Sequence, residues 1–253
     1  MLKCHMLEES VGSALGPRPR IKGFEAVLVG ATIGLRHDDH IAASRYKLMV
    51  DVVRGASLDQ LLGHEKGRGR NHANRNHNDR VKAITPATEF SIATGVALDF
   101  HRHKRHSVVI ALSLADAGSP DFWHEPAIYA ATHKLPVIFV VQRKFTKRKH
   151  NENSRAADLS SQADKHGLPG IPVDANDAVA VYRVAHEAID RARRGAGPAL
   201  IECKAWPFGA EDSLAHMRRY LQWKGFWTDD WGRHTAEQIR REIDHARHRT
   251  QSR

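Results

Sequence analysis

Cysteine is scarce. The 253 residues hold two, Cys4 and Cys203, far apart and without the close spacing a metal site uses. Two distant thiols do not frame a disulfide-stapled fold, so reduced cysteines in a cytosolic protein are the expectation. Long apolar runs are missing as well. No stretch approaches the ~18–20 residues of a membrane span, so no membrane helix is expected. Met1 to Ser10 has no hydrophobic signal core, and a cytoplasmic product is expected on that ground. There is no internal repeat and no linker-like break in composition. One domain over residues 1–253 is therefore expected, irregular over 1–21 and closing in a helical tail over 214–253. A chain of this length can bury a large core as one α/β unit.

Positive charge is what the chain has in excess: 39 Lys+Arg against 29 Asp+Glu, a formal +10, with 18 His besides. Clusters fall at 65–80, 101–106, 143–149 and 240–253. They are spread along the chain and match no nucleic-acid module, so a nucleic-acid role is not the expectation. A solvated basic surface, or one facing an acidic partner, is.

The most informative stretch is 106–142. Ser107 to Leu114 is almost unbroken in apolar residues, and so is Leu135 to Val141. Strands apolar on both faces belong to parallel sheets covered by helices on either side. Turn residues (Asp116, Gly118, Ser119, Pro120) and a helical segment from about His124 to Lys134 separate the two runs, which makes a right-handed βαβ unit. Ligands of open parallel sheets bind outside the carboxyl ends of strands, so the segment 115–120 is the first candidate for chemistry.

Around this unit the spacing predicts helices over Gly23–Leu35, up to about Val53, and over Leu58–Leu62 behind Ser57. Residues 64–82 read as a surface loop. A helix capped by Thr85 with Pro86 in its first turn follows, with Ile92, Val96 and Phe100 on one face. Further on come a short helix ending at Gly167, a strand at Ile171–Asp174, and a long amphipathic helix behind Asn176. Pro198–Trp206 reads as another strand, and a last helix opens with a capping box at Thr235 and Gln238.

Four segments together resemble a known family. They are Gly23-Phe-Glu-Ala-Val-Leu-Val-Gly-Ala-Thr-Ile-Gly-Leu-Arg36, Asp121-Phe-Trp-His-Glu with the following Leu135-Pro-Val-Ile-Phe-Val-Val141, Val173-Asp-Ala-Asn-Asp177, and Arg191-Ala-Arg-Arg-Gly-Ala-Gly-Pro-Ala-Leu-Ile-Glu202. In this order they are similar to the alpha subunit of thiamine-diphosphate-dependent 2-oxo acid dehydrogenases, the pyruvate, branched-chain and acetoin enzymes. The resemblance implies a thiamine-diphosphate-binding fold, a mainly parallel sheet sandwiched between helices. It implies thiamine diphosphate and Mg²⁺ as cofactors, a beta-subunit partner in an α2β2 tetramer, and a lipoyl acyltransferase downstream. The implied reaction is oxidative decarboxylation of a 2-oxo acid with acyl transfer to a lipoyl group, the carbanion chemistry being the cofactor's.

Carried over residue by residue, the resemblance makes Asp116 the metal and cofactor candidate, one position late against the family's Gly-Asp-Gly. Arg45 and Tyr46 fall on the diphosphate-holding Tyr-Arg pair in reversed order. The family's Glu-Asn-Asn falls on Gln142-Arg143-Lys144, so Lys144 stands where a metal-ligand Asn is expected. A Lys ammonium has no lone pair for a cation, but it can pair with a diphosphate directly. His72 and His77 lie where the family carries an active-site His; no His stands in Phe208–Asp212, where another would fall. Two readings stay open: a working alpha-type subunit, and a catalytically impaired homologue serving as a structural or regulatory subunit.

Overall fold

A computed structural model describes residues 1–11, 22–43, 46–65, 85–115, 122–144, 158–205 and 212–251. Its centre is a five-stranded sheet in the order β1-β2-β3-β5-β4, formed by β1 (His40–Ala42), β2 (Val109–Ala115), β3 (Val137–Lys144), β4 (Gly170–Asp174) and β5 (Ala199–Ala205). Every neighbouring pair is parallel.

Alternate strand residues face opposite sides, and here both sides are covered. On one side Ile110, Leu112, Ile138, Val140 and Ile201 pack beneath α2 (Glu25–Thr32), α3 (Lys47–Val53) and α8 (Ala178–Arg193). On the other side Val109, Ala111, Val137, Phe139 and Leu200 pack beneath α5 (Pro86–Arg102), α6 (His124–Thr132) and α7 (Leu159–Lys165). This is why the two central runs are continuously apolar. The first layer is extended by α1 (Leu2–Val11), α4 (Leu58–Glu65) and α10 (Asp229–Gln251), with α9 (Ser213–Trp223) set against α2. Among the described residues no helix is long and apolar enough to cross a membrane.

Several expectations need correction. Residues 2–11, expected to be irregular, form α1, because the breakers Gly16, Pro17 and Pro19 all lie downstream. Cys4 and Leu7 bury that helix, and His5 Nδ1 lies 2.9 Å from the buried Glu25 carboxylate. Between the first two expected helices the chain inserts β1, three residues being too few to show a period. Helix α4 continues through Gly63 to Glu65. The buried face of α5 is Phe90, Ala93, Ala97 and Phe100, while Ile92 and Val96 are half-buried. Asp177, not Asn176, caps α8, accepting from Val179 N and Ala180 N at 2.9 Å each. The last helix starts at Asp229, ahead of the expected box, with the Thr228 hydroxyl accepting from Trp231 N at 3.2 Å. Thr85 does cap α5, accepting from Thr88 N at 3.2 Å.

Candidate functional site at the carboxyl edge of the sheet

In a parallel sheet every carboxyl end lies on one edge, and crevices open where the helices that follow neighbouring strands leave to opposite faces. That happens twice here. After β1 the chain enters α3 on one side, while after β2 it enters α6 on the other. After β3 it enters α7 on the α5–α6 side, while after β5 it enters α9, whose buried Ser213 hydroxyl donates to Glu25 of α2 at 3.0 Å. The segments that follow the carboxyl ends of β2, β3 and β5, residues 116–121, 145–157 and 206–211, lie outside the described residues. So do Arg45, His72, His77 and Asp116.

Tyr46 and Lys144 are described. Tyr46 is 4% exposed and opens α3; its ring packs on Phe24 with centroids 4.6 Å apart. Its ring therefore belongs to the core wall below the edge. Lys144 ends β3, opposite Ala205 of β5, and is exposed. Between these two points Gln142 is fully buried. Its Nε2 donates to Gly23 O at 2.6 Å, and its Oε1 has no partner among the described residues.

Sequence reasoning did not foresee the polar cluster beside Lys144. Arg143 turns inward, and its Nη1 donates to Glu202 Oε1 at 2.7 Å, with both side chains buried. The other carboxylate oxygen of Glu202 accepts from Ser160 N at 3.1 Å and Ser160 Oγ at 2.9 Å, joining β5 to the start of α7. Lys204 Nζ lies 2.9 Å from Asp158 and 3.9 Å from Glu202. Two cations and two anions thus form one set, in which Arg143 is paired with Glu202. The available signal was Glu202 itself, a carboxylate in the middle of β5 directly after the apolar run Ala199-Leu-Ile201. A second buried carboxylate, Glu25, accepts from Gly23 N at 2.7 Å and from Ser213, so it too is engaged within the fold.

Neither thiol is poised for chemistry. Burial pushes both Cys203 and Cys4 above the usual thiol range, and a nearby carboxylate, Glu202 or Glu25 respectively, adds to the rise. Nor does the described donor set fit Mg²⁺, which demands octahedral oxygen ligands. Among the described residues no group of three or more His, Cys, Asp or Glu side chains is placed to hold a metal ion. The positions at the end of β3 offer one free amide oxygen, on Gln142, followed by a guanidinium committed to Glu202 and an exposed ammonium.

The family model for the dehydrogenase E1 component matches residues 19–210, from just ahead of α2 to just beyond β5. The chain belongs to the dehydrogenase E1 component family. Among relatives of the family, the pyruvate dehydrogenase E1 component subunit alpha of Staphylococcus aureus (strain Mu50) is 27% identical over 87% of this chain and 66% of its own length. Its counterpart in Staphylococcus epidermidis is 28% identical over the same shares. The chain thus spans just under two thirds of the length of these relatives. A solved benzoylformate decarboxylase from Polynucleobacter necessarius is 18% identical over 47% of this chain and 23% of that one, with a TM-score of 0.35.

Proposed function

We propose that this chain acts as the alpha-type component of a 2-oxo acid dehydrogenase, paired with a beta-type subunit as an α2β2 tetramer in the cytoplasm. The observation that carries this reading is the extent of the family match, which takes in the whole sheet and its carboxyl edge. The reaction is oxidative decarboxylation of a 2-oxo acid with transfer of the acyl unit to the lipoyl group of an acyltransferase. Its carbanion chemistry belongs to thiamine diphosphate. On this chain the candidates toward the diphosphate are Arg45, Tyr46 and Lys144, with Asp116 toward a metal and His72 and His77 toward substrate.

A specific observation favours a second reading, a structural or regulatory subunit without its own metal anchor. The two positions that carry Asn in the family hold Arg143, bound to Glu202, and Lys144, a cation at the strand end. Co-expression with a beta-type subunit, followed by calorimetric titration of thiamine diphosphate with and without Mg²⁺, separates the two. A stable complex with cofactor heat supports the first reading. A stable complex with no heat supports the second, and absence of any complex sinks both.

A further inference from the structure

The amino edge of the sheet, opposite the candidate site, gathers several cations that lie apart in the sequence. Each strand of a parallel sheet begins on that edge. The segments leading into β1, β2, β3 and β5 therefore lie side by side, and hydrogen bonds tie three of them together. Arg193 at the end of α8 donates to Asp39 Oδ2 at 2.8 Å, Asp39 Oδ1 at 3.0 Å and His106 O at 2.5 Å. Asp39 Oδ1 also accepts from Val108 N at 2.9 Å. Arg54 donates to Arg36 O and His37 O at 3.1 and 2.9 Å. Lys134 lies against Gly197, whose added Cβ would sit 3.4 Å from the Lys134 Cα.

On this platform residues 101–106, His-Arg-His-Lys-Arg-His, are all exposed. Arg36, Arg54, Lys134, Arg191 and Arg194 are exposed around them. Two exposed carboxylates set among these segments are engaged: Asp38 accepts from Ser107 at 2.7 Å, and Asp99 lies 3.0 Å from His103; Glu187 stands exposed near Arg191. Helix dipoles favour a cation or two in a last turn. They do not explain six consecutive exposed basic positions, nor Arg36 and Lys134, since α2 and α6 carry no basic residue in their last turns.

We propose that this amino-edge face binds the phosphate backbone of a nucleic acid, without sequence specificity. Four adjacent strand starts at ~4.8 Å spacing span roughly 15 Å. A duplex presents about nine phosphate charges over that length, at one per ~1.7 Å. The run 101–106 carries no aliphatic side chain and no Phe, Tyr or Trp. A protein partner would be expected to find apolar anchors and few lysines at the centre of its interface, and a bilayer would be expected to find side chains that enter its headgroup boundary. The run itself offers neither, the exposed Ile33 and Tyr129 standing outside it near Arg36 and Lys134, whereas Arg and Lys are the groups that contact phosphate.

The test uses the full chain and a fluorescent 20-base-pair duplex of mixed sequence, with anisotropy read across a salt series. The variant R102Q/K104Q/R105Q is expected to weaken binding at least ~10-fold and to reduce the slope of log K against log salt by about three. R191Q/R194Q, on a different helix of the same face, is expected to reduce the slope by about two. A charge-matched control on the exposed side of α10, R240Q/R241Q/R247Q, is expected to stay near wild type. Equal weakening in the control would reduce the effect to net charge and overturn the proposal. So would an unchanged R102Q/K104Q/R105Q variant, or equal binding of poly-glutamate or of phosphatidylglycerol vesicles. None of these outcomes depends on whether a beta-type subunit binds.

Discussion

At the level of single residues, the buried ion pair of Arg143 and Glu202 is held by more than the pair itself, because Ser160 donates twice to the second carboxylate oxygen. Removing one partner of such a set leaves an uncompensated buried charge, which costs about 3–5 kcal/mol. Arg143→Met is expected to lose that much in urea unfolding, and the double variant R143M/E202L is expected to recover only part of it, because the Ser160 donors lose their acceptor. His40 makes a pH-dependent contribution. It is 6% exposed, its Nδ1 has no partner among the described residues, and burial with Arg54 and Lys47 nearby lowers its pKa from 6.5 to about 4. Between those two values the unfolded chain binds the proton and the folded chain does not, so stability rises with pH across that window. Its full extent is about 3 kcal/mol, present above pH ~6.5 and lost as pH falls toward 4. His40→Leu is expected to flatten this part of the stability–pH curve in denaturant titrations; an unchanged curve would mean that another group sets it.

Elements dock through a few close approaches. A Cβ added at Gly30 would stand 2.8 Å from Ala178 O and 2.9 Å from Val181 Cβ, so α2 and α8 cross where only a hydrogen fits. Gly30→Ala is expected to push the helices apart and cost about 1–3 kcal/mol in thermal unfolding. Capping is the milder lever. Asp177→Ala removes the acceptor of two amide hydrogens at the start of α8, and a loss of about 1 kcal/mol is expected. The strands and their covering helices were legible in the sequence because apolar runs, caps and terminal glycines are local signals. Segment β1 was not, since it takes its form from pairing with Val109, Ile110 and Ala111 rather than from its own three residues.

At the scale of the whole molecule, the two edges of the sheet divide the chemistry. The carboxyl edge holds the candidate site, and its described residues lack the oxygen donors that Mg²⁺ needs. Millimolar Mg²⁺ added to the chain alone is therefore expected to leave Tm unchanged, because a ligand that does not bind the folded state cannot raise its stability. A clear rise in Tm would reveal an oxygen site beyond the described residues. The amino edge holds a group of exposed cations. Folding sets the basic run at 101–106 beside Arg36, Lys134 and Arg194, which are separated from it by tens of residues in the chain.

The sequence by itself determined the parallel α/β frame and the family, because continuous apolar runs and collinear motifs need no partner to be read. It also placed Arg143 and Lys144 at the end of β3. Only the tertiary structure decided what those charges do. Arg143 is drawn to a carboxylate 59 residues away, whereas Lys144, one position on, stays exposed at the strand end. Tertiary structure likewise brought part of a dispersed positive charge onto one edge, because all strands of a parallel sheet start on the same edge whatever their distance along the chain.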